Sequence, residues 1–305
     1  MRSRREIVVG MALFGGIEAG GTKFVCGIGN GPDTLEVASF PTGEPAESLR
    51  QAITFFRDTA GRRLAALGIA SFGPIDLERT SPTYGHITTT PKTAWRDVDI
   101  VGTLTGALGV PVAFETDVNA AALAEAKWGA ARDVEDCVYM TVGTGIGGGV
   151  LVNRRPVHGL LHPEIGHLRI PQLREDPFSG SCAFHGNCLE GLASGPALTA
   201  RWGCPPERLP DDHPAWEFEA HYLAIALVNL IFSVSPHRII LGGGVMQHHA
   251  LLPLIRRKVV SLLNGYIAKP RLNEAIDSYI VPPQLGRHSG VLGAILLASA
   301  LTDAH

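Results

Sequence analysis

Thr141-Val142-Gly143-Thr144-Gly145-Ile146-Gly147-Gly148-Gly149 is the stretch on which the reading of this chain turns. It contains Gly143-x-Gly145-x-x-Gly148, formally the fingerprint of a dinucleotide-binding turn, which requires a helix to open at the loop with its N-terminus facing the pyrophosphate. Here the loop runs instead into Val150-Leu151-Val152 and follows an apolar run over 137–142, so both flanks read as strands and the glycines as a hairpin turn. A GxxxxGK[ST] phosphate loop occurs nowhere in the chain. Glycines in such a hairpin let backbone N–H groups converge into a nest for phosphate, and Thr144 adds a hydroxyl donor.

The first half carries the same device. Glu18-Ala19-Gly20-Gly21-Thr22-Lys23 lies between strands expected over 12–18 and 22–29, with Thr22 and Lys23 as further donors. A third run, Leu241-Gly242-Gly243-Gly244-Val245, leaves a strand over 238–241 and offers bare backbone to a flat nucleoside. One Gly-Gly pair is an ordinary turn; recurrence at matching places in two halves is the signal. Outward from these turns, the first half reads as a strand over 35–40 and a helix over 45–60 with Leu49, Ile53 and Phe56 on one face. A strand over 65–70, a helix over 100–108, a strand over 110–115 and an Ala-rich helix over 118–128 follow. The second half restarts with strands over 137–142 and 148–152. It continues through helices over 190–202 and 216–233, the strand over 238–241, a helix over 253–267, a strand over 278–281 and a last helix over 290–300. Two hairpin-led sheets, each followed by alternating helices and strands, predict an α/β protein with two sheets facing a cleft. The apolar span 222–234 reads either as a core helix or as a subunit contact.

Composition narrows the ligand. Glycine is 36 of 305 residues, about 12% against a usual ~7%, and no Gly-X-Y period exists, so the chain is turn-rich and globular. A formal net charge of −3 is too near balance to advertise nucleic acid or an anionic membrane. The apolar run over 223–234 is shorter than the ~20 residues a bilayer needs. Five scattered cysteines, an odd count, fit reduced thiols in a cytoplasm. Residues 1–10 read as a disordered lead without a secretory cleavage site. The expectation is a soluble cytoplasmic protein that handles a small molecule.

Asp117 ends a strand and begins a helix, a place facing a cleft. Phosphoryl transfer to an alcohol needs a carboxylate there to orient the hydroxyl and accept its proton. An Asp at that point serves either as such a base or simply as the cap of the helix. Cys182-x2-His185-x2-Cys188, with His167 upstream, is a soft-ligand cluster that would close a tetrahedral Cys2His2 site for Zn2+, with His162 or His158 as alternatives to His167. Four filled positions leave none for water, so such a zinc is structural. It would tie the 167 segment to the 182–188 loop and fix Glu164 relative to Glu190.

The runs GGIEAGGTKF, TDVNAAALAE, VGTGIGGGV, HPEIGH and C-x2-H-x2-C-LEG, in this order, resemble the ROK family of sugar kinases and repressors, over about residues 13–297. The resemblance implies a two-lobed actin-like ATPase (ribonuclease H-like) fold with two duplicated βββαβα-type domains around a cleft. The first lobe would span 11–117, completed by a helix over 289–303. The second would span 118–288 and contain the zinc-binding loop 167–188. By resemblance Asp117 is the catalytic base, and Glu164, Glu190, Asn119, Thr116, Lys92 and Trp95 belong to the sugar site, Trp95 alternatively to the core. Gly20, Gly21, Thr22, Lys23, Gly143, Thr144 and Gly145 would cradle the phosphates of ATP, Gly243 and Gly244 would approach its adenosine, and Glu18 would hold Mg2+. Three positions depart from the common pattern: Thr116 stands where relatives often have Asn, Glu18 where most have Asp, and His185 where many have Cys. Within the family the motifs look closest to bacterial members that phosphorylate fructose, which implies transfer to the 6-hydroxyl of D-fructose in a homodimer. Mannose, glucose or an N-acetylhexosamine is the alternative acceptor, and a non-catalytic sugar sensor is the alternative from another class.

Overall fold

The computed structural model describes residues 12–60 and 63–302. The lead expected over 1–10 and the last residue of the helix expected over 289–303 lie outside these residues. In the first half, β1 (Leu13–Ala19), β2 (Lys23–Gly29) and β3 (Glu36–Pro41) form the meander expected from the Gly and Asn-Gly punctuation. α1 (Pro45–Thr59) follows, burying Leu49, Ala52 and Phe56 on one face, and then β4 (Leu64–Ser71). β5 (His86–Ile87) and β6 (Val98–Asp99) make a small ribbon, which no periodicity announced. α2 (Ile100–Leu108), β7 (Val112–Thr116) and α3 (Asp117–Trp128) complete the half. Strand order is β3-β2-β1-β4-β7, with β1 antiparallel to β2 and parallel to β4.

The second half repeats this plan. β8 (Cys137–Val142), β9 (Ile146–Val152) and β10 (Arg155–Pro156) form its hairpin-led side. α4 (Leu189–Ala193), α5 (Gly195–Trp202), α6 (Ala215–Val234), β11 (Arg238–Gly242), α7 (Leu251–Leu263), α8 (Pro270–Asn273), α9 (Ile276–Tyr279), β12 (Ile280–Val281) and α10 (Ser289–Ala300) follow. The order β10-β9-β8-β11-β12 matches the first sheet strand for strand. Asn153 and Arg154, both at positive φ, make the tight turn that joins β9 to the two-residue β10.

Three expected boundaries change, each for a local reason. The helix expected over 190–202 is two helices: Ser194 is extended (φ −79°, ψ 162°), its hydroxyl accepts the Ala197 N–H at 3.3 Å, and Pro196 has no N–H to continue the first helix. The helix expected over 253–267 stops at Leu263, where Asn264 and Gly265 both take positive φ. The strand expected over 278–281 keeps only Ile280 and Val281, its start being taken by α9. The apolar span 222–234 belongs to α6, a helix long and apolar enough by composition to cross a membrane, yet placed in the second core with Tyr222, Leu223, Ala226, Leu227 and Ile231 buried.

α10 leaves the second half and packs on β1, β4 and α3. The approach is close because its Gly293 lies against the Ala120 carbonyl of α3, where a Cβ would stand at 1.9 Å. α3 in turn reaches β8 and β9, so the two helices form the seam between the sheets. Glu18, near the end of β1, lies against Gly290 of α10, and Gly147 and Gly149 of β9 lie against Val118 of α3, so both hairpins approach this seam.

Candidate active site

The glycine hairpins of the two halves face one another: Thr22 Oγ1 and Thr144 Oγ1 are 3.0 Å apart, although 122 residues separate them. The third glycine run closes on the second. Gly243, at φ +101°, lies so near the Val142 carbonyl that a Cβ would stand 2.2 Å from it, and a Cβ on Gly143 would meet the Gly244 nitrogen at 3.8 Å. Only glycine fits the left-handed backbone at 243 without strain. The three turns that the sequence singled out therefore border one space, to which Thr22 and Thr144 bring hydroxyls, while the N–H groups of Gly20 and Gly143, expected at the phosphates, close their own turns on the Lys23 and Gly145 carbonyls at 3.0 and 2.9 Å.

Acids collect beside it. Asp117 is the first residue of α3, but it does not cap the helix. Thr116 does, its hydroxyl accepting the Asn119 N–H at 3.1 Å, while Asp117 Oδ1 accepts only the adjacent Val118 N–H at 2.9 Å. The capping alternative for Asp117 is thus overturned, because the residue one position earlier has the extended backbone a cap needs. Burial pushes the Asp117 carboxyl up to about 7, with the neighbouring charges of Glu18 and Glu164 adding to the rise. Glu18, on β1, is pushed up to about 7 by burial against the opposing pull of Lys23, and its Oε2 is buried without a hydrogen-bond partner. Glu164 rises to about 7 from desolvation and then from Glu190. Glu190 is anchored, its Oε2 accepting the Ile146 N–H at 3.0 Å from the second hairpin and lying where a Cβ on Gly145 would stand at 2.7 Å. Four carboxylates from four elements converge, with their charges poorly compensated by the protein. Such an array suits a cation and the hydroxyls of a polyol.

Several expected sugar contacts take other places. Trp95 is core: it is 1% exposed, packs on Phe24 and Phe72 with ring centroids at 5.4 and 5.7 Å, and donates from Nε1 to the Gly43 carbonyl at 3.0 Å. Thr116 is buried and occupied with capping. Asn119 is 1% exposed and donates from Nδ2 to Glu115 Oε1 at 3.0 Å, with its Oδ1 unpartnered. Lys92 lies on the first glycine turn, its Cε 3.7 Å from where a Cβ on Gly21 would stand. Three groups that sequence reasoning left out of the site surround Asn119 and Glu164. His158 Nε2 and Glu115 Oε2 pair at 2.9 Å, raising the imidazole's pKa, while His162 accepts the Ile75 N–H at 3.2 Å and places Nδ1 3.4 Å from Glu164 Oε1. Glu115 was within reach of sequence, since it precedes the quoted TDVN run by one residue. That His162 meets Ile75, 87 residues away, is a product of folding.

The soft-ligand cluster forms as read. Cys182 Sγ lies 3.8 Å from His167 Nδ1 and 3.7 Å from His185 Nδ1, Cys188 Sγ lies 3.5 Å from His167 Nδ1, and all four ligand atoms lie within 4.8 Å of one another. A tetrahedral zinc with ordinary bond lengths separates its S and N ligands by about 3.5 Å. His158 and His162 belong to the acid cluster and not to this one, which leaves His167 as the fourth ligand atom.

Two sheets of identical strand order, seamed by two helices and carrying facing phosphate-type hairpins with a carboxylate at a helix start, define an actin-like phosphotransferase. The chain belongs to the ROK family, whose model matches residues 14–300. It is 44% identical to a fructokinase of Pediococcus pentosaceus over 94% of this chain and 98% of that one. Its fold is similar to the crystal structure of a ROK hexokinase from Thermus thermophilus (TM-score 0.73, 30% identity, 96% of this chain and 100% of the other). It is also similar to a ROK family glucokinase from Streptomyces griseus in complex with glucose and AMPPNP (TM-score 0.73, 25% identity, 95% and 100%).

Proposed function

We propose that this protein is an ATP-dependent fructokinase, transferring the γ-phosphoryl group of ATP to the 6-hydroxyl of D-fructose to give D-fructose 6-phosphate and ADP. The observation that carries the reading is that Asp117 shares its space with Glu18, two residues before a glycine turn that faces the glycine turn of the other half; the choice of fructose rests on the likeness to fructokinases. Asp117 accepts the hydroxyl proton as the oxygen attacks phosphorus, a task for which a carboxyl near 7 is well matched at neutral pH. Gly21 and Thr22 from one side, and Thr144 and Gly145 from the other, donate to the phosphates, while Gly20 and Gly143 spend their N–H groups on the Lys23 and Gly145 carbonyls at 3.0 and 2.9 Å and shape the turns; Gly243 and Gly244 line the adenosine. Glu164 and Glu190 accept sugar hydroxyls. Glu18 suits a water-mediated hold on Mg2+, since its buried Oε2 lacks a partner; when bound, that ion neutralises charge on the transferring phosphates. His167, Cys182, His185 and Cys188 suit a structural Zn2+ with no open position. On this reading the lobes divide at 117/118, and the assembly is a homodimer, which sedimentation velocity tests.

The test is ADP release with Mg-ATP against fructose, mannose, glucose and N-acetylmannosamine. Fructose is expected to give the highest kcat/KM. A different best sugar overturns the acceptor and leaves the kinase; no transfer to any of them overturns the kinase and favours a sensor.

A further inference from the structure

The geometry assigns Lys92 to the γ-phosphate of ATP rather than to the sugar. The inference rests on the reading of the hairpins as the phosphate site and adds a residue to it. Lys92 is held from both sides by buried groups. Its N–H donates to the hydroxyl of Thr90, which is 1% exposed, at 3.3 Å, and its carbonyl accepts the N–H of the core residue Trp95 at 2.8 Å. Arg96 Nε donates to the Thr90 carbonyl at 2.8 Å and closes the bracket. The Trp95 ring in turn rests on Phe24 of β2, the strand that leaves the Gly20–Gly21 turn. The turn and the lysine are thus parts of one packed unit.

From this base the side chain crosses the open face of Gly21. A Cβ on that residue would meet no atom except Lys92 Cε, at 3.7 Å. Among the described residues no carboxylate pairs with the Lys92 ammonium. Lys23, the other lysine of the turn, acts electrostatically on Glu18. Lys92 therefore supplies an unpaired positive charge beside backbone that also reaches, through Thr22 and Thr144, the second hairpin. Phosphoryl transfer places its developing charge on the equatorial oxygens of the moving group, and an ammonium held in advance is the partner such charge requires. In the step, the sugar-oxygen-to-phosphorus bond forms and the bond from γ-phosphorus to the bridging oxygen breaks, its electron pair leaving with ADP. The hydroxyl proton passes to Asp117, and Lys92 keeps its protons and donates hydrogen bonds throughout.

The experiment compares Lys92→Met and Lys92→Arg with wild type, for kcat at saturating fructose and for calorimetric affinities of fructose alone, Mg-ADP and Mg-AMPPNP. For Lys92→Met, kcat falls by about a hundredfold or more, fructose affinity stays within twofold, and AMPPNP binding weakens while ADP binding does not. Lys92→Arg recovers part of kcat. A tenfold loss of fructose affinity with kcat retained assigns Lys92 to the sugar and overturns the inference, as do unchanged rates and affinities. If wild type transfers to no hexose, the kinase reading fails on its own, and the AMPPNP-against-ADP contrast still decides for or against Lys92.

Discussion

Asp117 opens α3 and Glu125 lies in its last turn; Asp117 is half-buried and Glu125 fully buried, and their surroundings are opposite. Glu125, 0% exposed, accepts four hydrogen bonds: from the Ala130 and Gln284 N–H groups at 2.7 and 3.1 Å, and from the Leu285 N–H and Ser289 hydroxyl at 3.0 and 2.7 Å. It thereby ties the end of α3 to the segment that starts α10. Asp117 accepts one backbone N–H from its own neighbour and faces the charges of Glu18 and Glu164. The lesson is that donors, together with depth, separate a structural carboxylate from a reactive one: the first is satisfied by the protein, the second awaits substrate and cation.

This contrast is open to attack in four ways. Asp117→Asn is expected to lower kcat by about a thousandfold, within the range for losing a general base, without loss of thermal stability, since it removes a like charge. Glu125→Ala is expected to do the reverse, costing about 3 kcal/mol or more by orphaning buried donors, while the folded fraction keeps its turnover. Denaturant melts beside active-site titration separate the two outcomes, and a stable, inactive Glu125→Ala breaks the comparison.

The third test is pH. With Asp117 raised to about 7, the ionised base is lost below that point, so kcat/KM is expected to fall roughly tenfold per unit on the acid side and to level off above. Stability runs the other way. Asp117 and Glu18 bind protons more tightly folded than unfolded, so their contribution favours the ligand-free fold at low pH and is lost as pH rises through about 7. Glu18→Gln removes one of the charges that raise Asp117, and the acid limb of a pH profile is expected to move down; a limb that stays in place breaks the link. The smallest effect belongs to metal removal: on the proposal that the Cys2His2 cluster holds zinc and so positions Glu164 and Glu190, chelation is expected to weaken fructose affinity several-fold before the second half unfolds. Unchanged affinity in folded, zinc-free protein overturns that role.

What was legible in the chain was whatever short-range chemistry dictates. Apolar runs broken by glycine marked the central strands because alternating or continuous burial needs such runs, and three glycine turns marked the phosphate-type nests. Cys182, His185 and Cys188 revealed a ligand set because all three lie within seven residues. Errors came where a distant partner outweighed local pattern. Trp95 follows a motif expected at the sugar, yet Phe24 and Phe72 draw its ring into the core. Asp117 was read either as a base or as a cap, and the cap falls to its immediate neighbour Thr116. Glu115 and His162 border or open quoted runs, but their meeting with one another's surroundings was not legible because Glu115, His158 and Ile75 come from segments far apart in the chain.

By itself, then, the sequence determined the duplicated α/β plan, the hairpins and the metal-ligand set, all of which depend on side-chain type and spacing over a few residues. Only the tertiary structure decided that Thr22 meets Thr144, that Lys92 leans over Gly21, and that Glu18, Asp117 and Glu164 share one poorly compensated space. Proximity and desolvation are properties of the folded packing, and the carboxyl that the proposed chemistry needs near 7 exists only once burial and like charges have raised it.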